Sequence, residues 1–84
     1  MSSSAKTAEE LIQTFVTLKL PRAAVAIERQ EKENHKTRYG ARDIISALIQ
    51  GGYAKTRRLW VLKQFGYEEG KDSIITTLKN EGLI

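Results

Sequence analysis

The sequence predicts an all-α protein of about five helices, and three features of the chain lead to this expectation. Apolar residues recur three and four positions apart along most of the chain, which is the period of an amphipathic helix. A length of 84 residues fits one domain. We expect a disordered tail over residues 1–6 and a single helical domain over residues 7–84. Residues that start or end helices separate the apolar stretches: Thr7, Pro21, Gly40, Gly51, Gly66 and Gly82.

The first helix is expected over about residues 8–19. Thr7 and Glu10 have the spacing of a capping box, in which each side chain satisfies a backbone N–H of the first helical turn. The apolar stripe that follows consists of Leu11, Phe15 and Leu18.

The second helix is expected over roughly residues 22–36, after Pro21. Proline has no N–H to donate and favours the first position of a helix. The segment is apolar up to Ile27 and wholly polar from Glu28 to Lys36. Its far end should therefore stand in water or reach a partner subunit.

Two shorter helices are expected over about residues 41–50 and 55–65. The former has an apolar stripe and is closed by two consecutive glycines, where left-handed backbone is least costly. The latter can be capped by Thr56 and ends at Gly66. Its apolar residues cover most of the circumference, so we expect burial on several sides. The residues concerned are Ile44, Ile45, Leu48 and Ile49 in the former and Leu59, Trp60, Val61, Leu62 and Phe65 in the latter.

A last helix is expected after the polar turn from Glu68 to Lys71. Asp72 or Ser73 can cap its start, and Gly82 ends it. Its inward residues are Ile74, Ile75 and Leu78.

The composition argues against catalysis, metal binding and membrane insertion. The chain has no cysteine, so a disulfide, a thiolate metal site and a thiol nucleophile are excluded. The single histidine, His35, lies in the most polar stretch, and both aspartates, Asp43 and Asp72, sit at expected helix starts, where capping explains them. No apolar run approaches the ~18 residues of a membrane span. We expect a cytoplasmic protein that is not an enzyme and uses no cofactor.

The positive charge is concentrated in one third of the chain. The net charge of the sequence is +4, yet residues 36–63 carry seven basic side chains against Asp43 alone, which is seven minus one, or +6. Such clustering is typical of a surface that binds a polyanion, and it favours nucleic acid over a merely solvated face. The seven residues are Lys36, Arg38, Arg42, Lys55, Arg57, Arg58 and Lys63.

Three consecutive segments carry a resemblance to known regulators: "DIISALIQGG", "TRRLWVLKQFGY" and "DSIITTLKNEGLI". Together they resemble the three-helix core of winged-helix and related helix-turn-helix DNA-binding proteins over residues 41–84. The chain departs from that pattern at Val61 and Leu62, where a small residue is usual, and in the length of the turn from Gly66. No wing hairpin follows Ile84, so a wingless core is expected.

The resemblance implies a division of labour on double-stranded DNA. The last helix would enter the major groove and hydrogen-bond to base edges, while residues 7–36 would be accessory or dimerisation helices. Arg57 and Arg58 would reach phosphate at a helix N-terminus. The implied contacts of the last helix are Ser73, Thr76, Thr77 and Asn80 with bases, and Lys71 and Lys79 with phosphates.

We therefore expect a small transcriptional or plasmid/phage-type regulator that binds DNA as a homodimer. Residues 64–84 hold two basic and four acidic side chains, a net of −2. Because phosphate contacts dominate affinity, the basic side chains of helix 55–65 should contribute more binding than Thr76 or Asn80; they are Lys55, Arg57, Arg58 and Lys63.

Two other interpretations stay open. "VTLKLP", followed by two helices, resembles ribbon-helix-helix repressors, in which residues 16–20 would form a strand that pairs across a dimer. That resemblance implies Val16, Leu18 and Leu20 in the core and base contacts by Thr17 and Lys19. Alternatively, the helical core is a protein-interaction adaptor, with Trp60 and Tyr53 as aromatic anchors.

Overall fold

Five helices follow one another along the chain. A computed structural model describes residues 6–84, and its helices are α1 (Ala8–Thr17), α2 (Pro21–Asn34), α3 (Ala41–Gln50), α4 (Lys55–Gln64) and α5 (Ser73–Asn80). Within this described part there is no strand, so the predicted all-α class is confirmed.

The predicted polar tail falls mostly outside the described residues, which begin at Lys6. This residue does not behave as part of a tail, because it exchanges two backbone hydrogen bonds of 2.8 Å with Tyr39 in an isolated antiparallel bridge. The bridge places the start of the described chain against the loop that connects α2 and α3.

α1 begins as the sequence predicts and ends two residues earlier. The Thr7 hydroxyl accepts the Glu10 N–H, and the Glu10 carboxylate accepts the Thr7 N–H, which completes the predicted capping box. The helix stops at Thr17 because Lys19 adopts a left-handed backbone with φ of 65°, a conformation that ends helices.

The strand proposed for residues 16–20 is wrong. Val16 and Thr17 belong to α1, and the following N–H groups of Leu18, Lys19 and Leu20 bond back to carbonyls of that helix. Val16 is also 58% exposed, although the ribbon interpretation needs it in the core. The strong N-terminal cap of α1 favours helix through these positions.

α2 starts with Pro21 at its first position, as predicted. It extends to Asn34 rather than to residue 36, because His35 has a left-handed backbone with φ of 53°. From Glu28 to Asn34 all side chains are exposed except Gln30, which is intermediate. The polar half of α2 is therefore exposed on the single chain, which fits both predicted alternatives, contact with water and contact with a partner subunit.

The starts of α4 and α5 differ in detail from the predicted caps. Ala54 occupies the position before α4, so Thr56 is not a cap and no side chain caps this helix. Asp72 precedes α5 as predicted, but its carboxylate accepts the Glu68 N–H at 2.8 Å instead of capping the helix. This bond closes the polar turn between α4 and α5.

The core lies between α1, α2 and α3, and α4 and α5 each add two buried apolar side chains to it. α1 packs along α2, and α2 packs along α3. The rings of Phe15 and Phe65 meet edge to face with centroids 5.6 Å apart, which attaches the end of α4 to α1. The largest fully buried side chains are Tyr39, Phe15, Leu11, Leu20, Ile27, Ile44, Ile45, Leu48, Leu62, Ile75, Leu78 and Val61.

α4 is not buried on several sides, contrary to the prediction. Only Val61 and Leu62 of this helix are buried, and Trp60 is 44% exposed. Ile49 of α3 is likewise 40% exposed, although the apolar stripe predicted it to be inward. The Trp60 side of α4 is therefore only partly covered by residues 6–84.

Candidate nucleic-acid interface

The seven cations predicted to form one surface fall into two groups. Three of them form ion pairs with carboxylates. The pairs are Lys36 with Asp43 at 2.8 Å, Arg42 with Glu81 at 2.7 Å and Lys63 with Glu69 at 3.1 Å. Their charges are compensated within the fold.

Lys71, just before α5, and Lys79, within it, also form ion pairs with carboxylates. Lys79 and Lys63 both contact the Glu69 carboxylate, and hydrogen bonding by Lys79 and then by Lys63 lowers the pKa of Glu69. Lys71 lies 3.9 Å from Glu68. The outer face of α5 is therefore polar and largely compensated, although its predicted base-contacting residues are exposed: Ser73, Thr76, Thr77 and Asn80.

Five of the cations that form no ion pair within residues 6–84 come from two segments that contain no acidic residue. The sequence has no Asp or Glu between Glu10 and Glu28, and none between Asp43 and Glu68. These segments contribute five cations that form no ion pair with any part of the chain from Lys6 onward. We call them the basic surface: Lys19, Arg22, Lys55, Arg57 and Arg58.

Arg22 and Arg58 both donate hydrogen bonds to the turn between α3 and α4. Arg22 Nε donates to the Gly51 carbonyl at 2.6 Å, and its guanidinium lies 4.6 Å from the centre of the Tyr53 ring. Arg58 Nε donates to the Tyr53 carbonyl at 3.0 Å, and Nη1 donates to Leu83 O at 3.0 Å. The two side chains come from different helices, and backbone carbonyls orient both.

Gly51 is required at this turn by close approach. A Cβ built there would lie 2.7 Å from Tyr53 Cε2 and 3.2 Å from Arg22 Cβ. The glycine thus lets Arg22 stack on Tyr53. Tyr53, predicted as an interface anchor, is half-buried in this stack rather than free on the surface.

The N-terminus of α4 adds positive potential at the same place. Lys55, Arg57 and Arg58 occupy its first turn, and no side chain caps the N–H groups there. Uncapped N–H groups carry the positive end of the helix dipole. A phosphate at this end would meet side-chain and backbone donors together.

Trp60 extends the basic surface with an exposed aromatic ring. Arg57 and Trp60 are three residues apart on α4 and so lie on one helical face. With Leu18 of the α1–α2 turn they line an open depression of about 360 Å³. Lys19 directly follows Leu18, which places the α1–α2 turn beside the first turns of α4.

Sequence reasoning missed Arg22 as a site residue and named Lys19 only as a base contact of the ribbon-helix-helix alternative. Counting charge in a single window hid them, because they lie outside residues 36–63; the long interval without acidic residues from Glu10 to Glu28 is the signal that identifies them. Arg38, which was predicted, is exposed in the α2–α3 loop, and no carboxylate of residues 6–84 pairs with it.

Other features of the described chain point to no competing chemistry. A second open depression, of about 450 Å³, lies at the start of α1 and contains Glu9 and Glu10, so its charge does not suit a polyanion. Residues 6–84 hold no cluster of three potential metal ligands. None of the helices in that range has the length and apolarity needed to cross a bilayer. Comparison of the chain with family models, curated proteins and solved structures gives no match.

Proposed function

We propose that this chain binds double-stranded DNA and that the basic surface makes the phosphate contacts. One observation carries the proposal: five cations without an ion-pair partner in residues 6–84 gather where neither contributing segment supplies a carboxylate. Neutralising phosphates and releasing their counterions provides most of the affinity of such surfaces.

The arrangement of the donors supports phosphate as the ligand. Arginine presents up to five N–H groups in a planar fork that matches phosphate oxygens. Arg22 uses Nε internally, and Arg58 uses Nε and Nη1, so each keeps further N–H groups for a ligand. Because backbone carbonyls already orient both groups, little side-chain entropy remains to be lost on binding.

The finer parts of the function stay predictions. Base contacts by the exposed face of α5 and a regulatory role are implied by the helix-turn-helix resemblance, and a homodimer is predicted from the small size of the chain and the apolar residues around Trp60. Phosphate contacts fix position and orientation on the duplex but do not read its sequence. On this proposal, any sequence specificity must therefore come from other residues, and Thr76 and Asn80 of α5 are the candidates.

The test removes two cations of the basic surface whose side chains form no hydrogen bond or ion pair within residues 6–84. Lys55→Ala combined with Arg57→Ala leaves the bonds of Arg58 to Tyr53 and Leu83 intact. We expect weaker binding to every duplex sequence and a flattening of the log-affinity against log-salt slope by roughly two. The measurement is fluorescence anisotropy with a labelled duplex at several salt concentrations.

A matched control removes the same amount of charge from compensated positions. Arg42→Ala combined with Lys63→Ala disrupts exposed ion pairs, which contribute little stability, and should change the salt slope much less. The proposal is wrong if the wild-type protein fails to bind duplex at about 50 mM salt. Equal losses in the two double variants would show that the basic surface has no special role.

A further inference from the structure

We infer that Trp60 stacks on an unpaired base, so that the preferred ligand is DNA in which a duplex continues into a single strand. This inference rests on the proposed function, because it takes the phosphate contacts of the basic surface as given. It adds the structural class of the DNA and the residue that selects it.

The surroundings of Trp60 distinguish it from the other exposed apolar residues. An isolated exposed apolar side chain needs no explanation. Trp60, however, is the only tryptophan in the chain, is 44% exposed, and shares an open depression with Leu18 and Arg57. The depression that the ring lines therefore has an apolar side chain and a cationic side chain beside the exposed part of the indole.

Charge complementarity identifies the occupant of this depression. Neither the α1–α2 turn nor α4 supplies an acidic residue. Arg57 lines the depression, and Lys19 directly follows its lining residue Leu18 in the chain. The ligand is therefore anionic overall and carries a flat group that stacks on indole. A nucleic acid strand has both properties, and proteins that bind single strands combine a cationic groove with aromatic side chains on which bases stack.

The need for an unpaired base follows from the structure of a duplex. Inside a duplex both faces of each base are covered by the neighbouring base pairs. A surface tryptophan can cover a base face only at an end or in a single-stranded segment, unless it forces a base step apart at a cost of a few kcal/mol. Trp60 on a rigid helix beside a phosphate-binding turn suits the first case.

The experiment compares three probes of matched sequence: a blunt duplex, the same duplex with a single-stranded overhang, and the single strand. We expect the overhang probe to bind about tenfold more tightly than the blunt duplex. Because Trp60 is the only indole, quenching of tryptophan fluorescence reports on this site alone. In fluorescence anisotropy with labelled probes, Trp60→Ala should abolish the preference for the overhang over the blunt duplex, and Trp60→Phe should restore much of it.

The outcomes separate this inference from the proposed function. Equal affinity for blunt and overhang probes, with or without quenching, overturns the stacking role and leaves duplex binding intact. Failure to bind all three probes at about 50 mM salt overturns the proposed function itself. If the free protein sediments as a dimer and Trp60→Ala makes it a monomer, the ring belongs to a subunit interface and the inference is wrong.

Discussion

Two tyrosine hydroxyls near the α2–α3 and α3–α4 connections differ in their hydrogen bonding. The Tyr39 hydroxyl donates to the Lys36 carbonyl at 2.9 Å. The Tyr53 hydroxyl is buried without a hydrogen-bond partner in the described chain. A buried polar group without a partner costs about 1–3 kcal/mol, whereas a satisfied bond contributes about 1 kcal/mol.

These two residues give a matched pair of predictions for stability. Tyr53→Phe removes only the unpartnered hydroxyl and keeps the ring under Arg22, so it should raise the free energy of unfolding by up to about 1 kcal/mol. Tyr39→Phe should lower it by about 1 kcal/mol. Urea unfolding monitored by circular dichroism measures both. A destabilised Tyr53→Phe variant would mean that this hydroxyl has a partner in solution.

The candidate site could be predicted only in part, because charge compensation depends on tertiary contacts. Arg42 and Glu81 are 39 positions apart, and only the packing of the chain after α5 near α3 brings them together. Arg57 was predicted from local charge, and the structure leaves it unpaired among residues 6–84. The sequence shows where cations are, but not which of them a carboxylate neutralises.

Helix starts were more predictable than helix ends. The capping box of α1 and the proline of α2 are local signals, and both act as expected. The ends of these helices were placed two residues too late, since Lys19 and His35 adopt left-handed backbone without being glycine. Non-glycine residues rarely adopt this left-handed conformation, so the sequence contains no pattern that predicts these two helix ends.

Exposed ion pairs connect α5 and the residue after it to α3 and to the α4–α5 turn. These pairs predict that stability depends on pH. Arg42 hydrogen bonds lower the pKa of Glu81, and Lys79 and Lys63 lower the pKa of Glu69. A carboxyl group whose pKa is lower in the folded state stabilises the fold above its unfolded pKa, near 4.5 here, and loses that contribution as pH falls through the folded value. The free energy of unfolding should therefore decrease as the pH is lowered below about 4.5.

The double variant Glu69→Gln with Glu81→Gln tests this assignment. Its stability should decline less steeply than that of the wild type between about pH 5 and pH 3, and about 1 M salt should reduce the difference because these side chains are exposed. Urea unfolding at stepped pH provides the measurement. Identical pH profiles for the variant and the wild type would show that the two pairs contribute no stability.

The size and charge distribution of the whole molecule limit how it can meet DNA. The longest dimension of residues 6–84 is 33 Å, which is close to the length of one turn of a duplex. If all five cations of the basic surface contact phosphates, the slope of log affinity against log salt should be about −4 to −5. A steeper slope would require further cations, such as Arg38, or a second copy of the chain.

Chemical-shift mapping with a short duplex decides which face of the molecule the DNA occupies. We expect the largest amide shifts at residues 18–22 and 51–60, which hold the five cations of the basic surface and the N-terminus of α4. Residues 28–34 should shift little, since three glutamates outnumber two cations there and repel phosphate. Residues 73–80 should also shift less, because the lysines beside α5 are already paired. Shifts concentrated at residues 73–80 would instead place α5 in the groove, as the helix-turn-helix resemblance implies, and would show that phosphate outcompetes Glu68 and Glu69 for those lysines.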